Sequence, residues 1–170
     1  MQWFTADLHF GHERIIEYTG RPFKTVKEMD EILIKNWNER VRPDDFIFII
    51  GDFCFRNTKD EKFGENRAKY YYDQLNGHKV FIQGNHDNTN SLNTIITDII
   101  IHYDGKDWHL AHKPEDCQLK YNLCGHIHQK WKSQRTKKGK IIINVGVDVW
   151  NYHPVNIQEI LEEVKKWKKK

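Results

Sequence analysis

Gly84-Asn85-His86-Asp87, just beyond the apolar run Lys79-Val80-Phe81-Ile82, is the stretch on which the fold reading turns. It places an amide, an imidazole and a carboxylate side by side where a buried strand ends, after a glycine that lets the backbone turn sharply. Alone, such a tetrapeptide is an ordinary polar turn. Its weight comes from repetition of the same junction along the chain. Asp7 and His9 follow the short run Gln2 to Thr5, and Gly51-Asp52 follow Phe46-Ile47-Phe48-Ile49-Ile50. Farther on, His112 follows Trp108-His109-Leu110-Ala111, and Gly125-His126-Ile127-His128 follow Leu123-Cys124. In open α/β sheets, loops at the carboxyl ends of strands converge on one crevice. The chain has ten histidines, and His9, His86, His112, His126 and His128 stand in these loops.

Outward from these junctions, the spacing predicts helices between the early strands. One is expected over 13–18, broken by Gly20-Arg21-Pro22. A second runs from the capping-box pattern Thr25-Val26-Lys27-Glu28 to about Arg40, with Val26, Met29, Leu33 and Trp37 at helical spacing. A third is expected over 60–75, stopped by Asn76-Gly77. The later chain reads as consecutive strands at 94–102, 108–111, 119–123 and 141–143. The last is reached through the basic turn Thr136 to Gly139, and an amphipathic helix over 156–168 closes the chain. Alternation followed by a run of strands predicts an α/β fold of mixed sheets with helices packed outside. No repeat, linker or composition break divides it, so residues 1–170 are expected to form one domain.

Hydrophobic residues make up 38% and charged residues 30%, a balance that fits a globular chain and excludes a membrane span of roughly 20 apolar residues. Met1-Gln2-Trp3-Phe4 shows no charged segment ahead of an apolar core, so no secretory signal is expected. Cys54, Cys117 and Cys124 form no CxxC pair, which points away from a disulfide framework and toward a reducing, cytoplasmic setting. The net charge of +3 is unevenly spread, with a basic stretch from Lys130 to Lys140 and a lysine-rich terminus. Such runs are ordinarily solvated faces, but the first could attract nucleic acid.

The strand-end residues offer two carboxylates, an amide oxygen and several imidazoles, with no thiolate. Mixed nitrogen and oxygen donors suit manganese, iron, cobalt, nickel or zinc better than calcium or magnesium. The donors are too many for one tetrahedral ion and suit two divalent ions sharing a carboxylate. Two such ions about 3.5–4 Å apart clamp a phosphoryl group and lower the pKa of a water toward neutrality. A proton donor for the leaving group is then still required, and an imidazole is the usual choice.

In this order, Asp7-x-His9, Gly51-Asp52, Gly84-Asn85-His86-Asp87, His112 and Gly125-His126-x-His128 resemble the five-block signature of the calcineurin-like metallophosphoesterases. The opening Asp7 to His12, the segment Gly20 to Phe23 and the loop Asn144-Val145-Gly146 resemble a compact bacterial and phage branch of that superfamily. The resemblance implies a four-layer αββα sandwich of two mixed sheets flanked by helices. It implies that Asp7, His9 and His128 hold one metal, that Asn85, His112 and His126 hold the other, and that Asp52 bridges them. Manganese would be the favoured ion, with iron, nickel, cobalt or zinc as alternatives. His86 would face the substrate and protonate the leaving oxygen. The pattern departs from the phosphoprotein phosphatases at Phe55, where those proteins carry an acid that pairs with the catalytic histidine. Arg56 matches their phosphate-binding arginine in spacing.

His12 either lines the site or simply starts a helix. Arg21 and Trp150 are candidate substrate contacts, while His78, His102, His109 and His153 are expected to be structural or surface residues. What orients His86 is open between Asp87 and a backbone carbonyl. The resulting expectation is a metal-dependent hydrolase of phosphate esters, acting as a small phosphodiesterase or phosphomonoesterase on nucleotide-like substrates. A single-strand nuclease using Lys130–Lys140, and a non-catalytic scaffold with the same fold, are the rival readings. The scaffold is disfavoured because none of the expected ligands is missing.

Overall fold

The computed structural model describes residues 1–55, 67–87 and 92–168. In chain order the elements are β1 (Gln2–Thr5), α1 (Glu13–Thr19), α2 (Val26–Arg40), β2 (Phe46–Ile50), α3 (Arg67–Tyr72) and β3 (His78–Ile82). Then come β4 (Asp98–Tyr103), β5 (Lys106–Ala111), β6 (Tyr121–Cys124), β7 (Ser133–Arg135), β8 (Ile141–Asn144), β9 (Val155–Asn156) and α4 (Ile157–Lys168). One sheet has the order β3-β2-β1-β9 and the other β4-β5-β6-β8-β7. Both are mixed: β1, β2 and β3 are parallel with β9 antiparallel, and β5, β6 and β8 are parallel between antiparallel β4 and β7.

The apolar runs explain the layering. Successive side chains of a strand point to opposite faces, so a strand covered on both sides is apolar throughout. In the first sheet, Trp3, Ile47 and Ile49 pack on Ile15, Leu33, Trp37 and Tyr71 of the helices. The alternate residues Phe4, Ile50 and Ile82 meet Trp108, Leu110, Leu123 and Ile143 of the second sheet. Helix α4 closes the side of the sandwich where β9 and β7 are edges, sending Ile157, Ile160 and Val164 into the inter-sheet core. The layer outside the second sheet is thin, with Cys117, Cys124, Ile142 and Trp131 packed together beside a short 3₁₀ turn at Pro114–Asp116. Two mixed sheets flanked by helices are therefore the observed architecture.

Local chemistry sets the element ends. The Thr25 hydroxyl accepts the Glu28 N–H at 3.1 Å, and the Glu28 carboxylate reaches the Lys24 N–H at 2.8 Å, one residue earlier than a full capping box. The reciprocal box is found instead at α4, where Asn156 and Glu159 exchange bonds of 3.0 Å in both directions.

The expected strand at 94–102 begins only at Asp98, because Ile95 is 91% exposed and the residues before Asp98 stand off the ladder. The strand expected from Leu119 begins at Tyr121, since Leu119 and the Asn122 side chain bond each other in a local turn. Strand β7 was not expected from its three polar residues and is an edge strand on β8. Of the helix expected over 60–75, Arg67–Tyr72 is observed, and 60–66 lie outside the described residues. Among the described residues, no helix is long and apolar enough to cross a membrane.

The parallel strands of both sheets deliver their carboxyl ends to one seam. There Ala6, just past β1, forms a parallel bridge with Gly146, just past β8. The loops continue the ladders: Asp7 N–H donates to Gly51 O and His9 N–H to Asp52 O, while Gly125 N–H donates to His112 O.

Candidate metal centre

The backbone at this seam is unusual before any side chain is considered. Asp7, His9, Asp52, His126 and His128 all take left-handed φ values, between 49° and 72°. Such conformations cost non-glycine residues of the order of 1–3 kcal/mol each and persist where the surroundings over-determine them. Here the surroundings are backbone amides aimed at carboxylates. His126 N–H lies 2.9 Å from both Asp7 carboxylate oxygens, and His86 N–H donates to Asp52 Oδ1 at 2.9 Å. Asp87 accepts from the N–H groups of Gly84, Asp52 and Phe53 at 2.8, 2.9 and 3.1 Å, tying the loop after β3 to the loop after β2. Its carboxylate is thus engaged by the backbone. Gly84 is required by space, since a Cβ there would stand 2.2 Å from Asp52 Oδ1.

The side chains converge on the Asp52 carboxylate. Its Oδ2 lies 3.5 Å from His9 Nε2 and 3.4 Å from His112 Nε2. His112 Nε2 is also 3.0 Å from Asn85 Oδ1, and the His126 ring packs edge-on against His112 with centroids 5.2 Å apart. The His128 ring lies 5.3 Å from that of His9. Two donor sets have ligand atoms within 4.8 Å of one another: Asp7, His9 and His128, and Asp7, Asp52 and His112. All seven residues expected as ligands are therefore gathered at the seam, and Asp7 belongs to both donor sets. A cation fits this arrangement on a further ground: both ring nitrogens of His9 are buried and, among the described residues, have no hydrogen-bond partner. Leaving such groups unsatisfied is costly, and an ion at Nε2 would relieve it.

The hydrogen bonds also set the imidazole tautomers. His112 Nδ1–H donates to Ile50 O at 2.8 Å, and His128 Nδ1–H donates to Asp148 Oδ2 at 2.9 Å, so Nε2 of each is the available donor atom. Burial raises the Asp7 carboxyl to about 6 against the pull of His112 and His128. Burial also acts upward on Asp52, but the hydrogen bond and charge of His112 and the charge of His9 outweigh it and hold Asp52 below the usual carboxylate range. Burial drives His9 well below the ordinary imidazole value. For His112 burial is more than reversed by the Asp52 hydrogen bond and the charges of Asp7 and Asp52, which push it up to about 9. In the metal-free protein a proton on His112 thus supplies positive charge between Asp52 and Asn85.

Behind His128 stands a pair that sequence reasoning missed. Arg21 Nε donates to Asp148 Oδ1 at 2.8 Å, and its two terminal nitrogens reach Leu8 O and Asp7 O at 3.0 and 2.7 Å. Arg21 is buried, so the expectation of a substrate contact is corrected: it braces Asp148 and the Asp7 loop from inside. The Gly20-Arg21-Pro22 segment was noticed as a motif, but Asp148, 127 residues away, carried no signal. Asn144 plays a similar bracing part, donating to His128 O at 2.7 Å and accepting the Gly146 N–H at 2.8 Å. Trp150 is half-buried, its indole N–H donating to Asn144 O at 2.7 Å.

His12 caps α1 without a side-chain capping bond. It lies 5.7 Å from the His9 ring and 4.1 Å from the Phe55 ring, so it lines the edge of the centre. Arg56 lies outside the described residues. His86 is exposed, with its ring 5.4 Å from that of His9. The basic segment divides. Lys130 and Lys132 follow His128 near the seam, whereas β7 runs away from it, carrying Lys137, Lys138 and Lys140 to the opposite end of β8. His102 and His109 pair with Asp107 and Asp98 elsewhere on the second sheet, and the three cysteines are buried thiols.

Comparison with known proteins agrees with this geometry. A family model for calcineurin-like phosphoesterases matches residues 2–169. The chain is 34% identical over 172 residues to the uncharacterized protein MJ1445 of Methanocaldococcus jannaschii, covering 98% of this chain and 92% of that protein. Over 91 residues it is 37% identical to the Gene 66 protein of Mycobacterium phage L5, a match covering 54% of this chain and 42% of the phage protein. The crystal structure of AQ665 from Aquifex aeolicus, a protein of unknown function, shares the fold. Its TM-score is 0.70 at 23% identity, over 95% of this chain and 98% of that one. The chain belongs to the calcineurin-like phosphoesterases, metal-dependent hydrolases of phosphoric esters.

Proposed function

We propose that this chain, acting as one domain over residues 1–170, hydrolyses mono- or diesters of phosphate in nucleotide-like substrates at a dinuclear centre. Asp7, His9 and His128 hold one divalent ion, Asn85, His112 and His126 hold the other, and Asp52 is shared, with manganese the favoured metal. The observation that carries the reading is the Asp52 carboxylate. One oxygen is fixed by the His86 amide, and the other faces His9 and His112 at 3.5 and 3.4 Å, between the two sets. When bound, two such ions neutralise phosphoryl charge and supply a water acidic enough to attack phosphorus near neutral pH.

The chain's own residues do the rest. Asp7 and Asp52 are held by the His126 and His86 amides, so the acidic donors are in place before substrate arrives. His86 is exposed while its backbone is anchored to Asp52, which suits a group that meets the substrate. As the bond from phosphorus to the ester oxygen breaks, His86 gives that oxygen its proton, so the product leaves as a neutral alcohol.

General acid catalysis of this kind contributes about 10²–10⁴-fold, and most when the leaving group is poor. His86→Ala should keep its full metal content and lose activity in that range on alkyl esters, with a smaller loss on p-nitrophenyl esters. Equal rates for variant and wild type on alkyl esters would remove His86 from the role of acid. Bound metal with no turnover of any phosphate ester would favour the scaffold reading instead.

A further inference from the structure

Helix α1 presents a face that the hydrolytic centre does not use. Among its residues only Ile15 is buried, and Tyr18 stands 59% exposed. Arg14, one helical turn before Tyr18, places its guanidinium carbon 5.0 Å from the Tyr18 ring centroid. Tyr18 in turn meets His12 edge-on at 6.4 Å, and His12 lies 4.1 Å from Phe55 and 5.7 Å from His9. Rings therefore step outward from a residue of the centre, His9, through His12 to an aromatic side chain in solvent with a cation beside it.

We propose that Arg14, Tyr18 and Phe55, set against the buried His12 ring, form a shelf that stacks the base of a nucleoside phosphoester while its phosphate lies at the metal centre; this deepens, and rests on, the phosphoester-hydrolase reading. A purine or pyrimidine is the occupant that uses every element of the shelf. Each base offers a π-face to Tyr18 or Phe55, and stacking on an aromatic side chain is tolerant of base identity. Arg14 can stack on a base and also pair with a neighbouring phosphate, which a small alkyl group would leave unused. If Arg14 and Tyr18 were only an exposed helix pair, their loss would weaken the helix slightly and leave substrate preference alone.

Substrate preference is therefore the quantity to measure. Manganese-loaded protein is assayed with thymidine 5′-(p-nitrophenyl) phosphate and with methyl p-nitrophenyl phosphate, which share the bond broken and the leaving group. Wild type should prefer the thymidine ester in kcat/KM. In Tyr18→Ala the ratio between the two esters should fall about 5- to 150-fold, the equivalent of losing one stacked base. The loss should sit mainly in KM, and Tyr18→Phe should restore the ratio. An unchanged ratio in Tyr18→Ala overturns the shelf.

Absence of turnover by wild type of both esters, and of the monoester p-nitrophenyl phosphate as well, overturns the hydrolase reading instead. The shelf is then judged by equilibrium binding of thymidine 5′-monophosphate to the same metal-loaded proteins. Affinity should drop by a comparable factor in Tyr18→Ala, and equal affinities would end the proposal.

Discussion

His112 concentrates the electrostatics of the centre in a single side chain. Without metal its pKa is raised to about 9, so at pH 7.5 it carries a proton. A metal ion needs the neutral ring, so binding must expel that proton. Metal uptake at pH 7.5 should therefore release at least about one proton per protein, and apparent affinity should rise about tenfold per pH unit up to about pH 9. Asp7, raised to about 6, adds a second proton below that pH and steepens the dependence there. Calorimetric titration in buffers of different ionisation enthalpy reads the proton count directly, and an affinity flat between pH 7 and 8.5 would contradict it. Asp52 supports a second prediction at this scale. In Asp52→Asn one oxygen can still accept the His86 amide, but an N–H₂ replaces an oxygen facing His9 and His112. Both ions should then bind weakly, and metal analysis after desalting should find fewer than about one per protein. Two retained ions would remove Asp52 from the shared position.

At the scale of elements, the centre depends on how closely the loops after β2 and β3 approach. Gly84 is where they touch, and a Cβ there would meet Asp52 at 2.2 Å from Oδ1 and 2.3 Å from the backbone nitrogen. Neither atom can yield, because Asp52 N–H is held by Asp87 and Oδ1 by the His86 amide. Gly84→Ala should push the two loops apart, lowering metal affinity at least about tenfold and destabilising the fold by about 1–3 kcal/mol, as overpacking does. Gly105 makes the contrast. Among the described residues a Cβ there meets nothing within 4 Å, but φ is +63°, so Gly105→Ala should cost about 1–2 kcal/mol of backbone strain and leave metal content intact. Melting temperature and bound metal, measured on both variants, separate crowding from strain. Normal metal content in Gly84→Ala would mean the loops have slack that their hydrogen bonds do not suggest.

For the molecule as a whole, what could be read in advance follows burial. Strands covered on both faces announce themselves as apolar runs, so β1, β2 and β8 were readable, as was the half-buried apolar run of β3, and with them the polar residues at their ends. Edge strands were legible only in part: β7 has no apolar face, and the strand expected over 94–102 begins only at Asp98, with Ile95 and Ile100 exposed. The bracing of His128 by Asp148 and Arg21 was hidden because it joins side chains that only the folded chain brings together. That same long-range closure makes the proposed ions structural. Asp7, His9, Asp52 and Asn85 come from loops of the first sheet, and His112, His126 and His128 from loops of the second, so each ion would draw ligands from both. Chelation leaves the inter-sheet core and the Ala6–Gly146 bridge in place, so the metal-free protein should stay folded. At free metal a hundred times Kd each ion adds ~2.7 kcal/mol to native stability, and for a chain of this length two should raise Tm by about 10–20 °C over the chelated protein. Because the ions span the seam, hydrogen exchange should slow on metal addition in both loop sets together, around residues 7–9, 51–53 and 84–87 on one side and 112 and 125–128 on the other. Protection confined to one sheet would place the ions on that sheet alone and dissolve the shared centre.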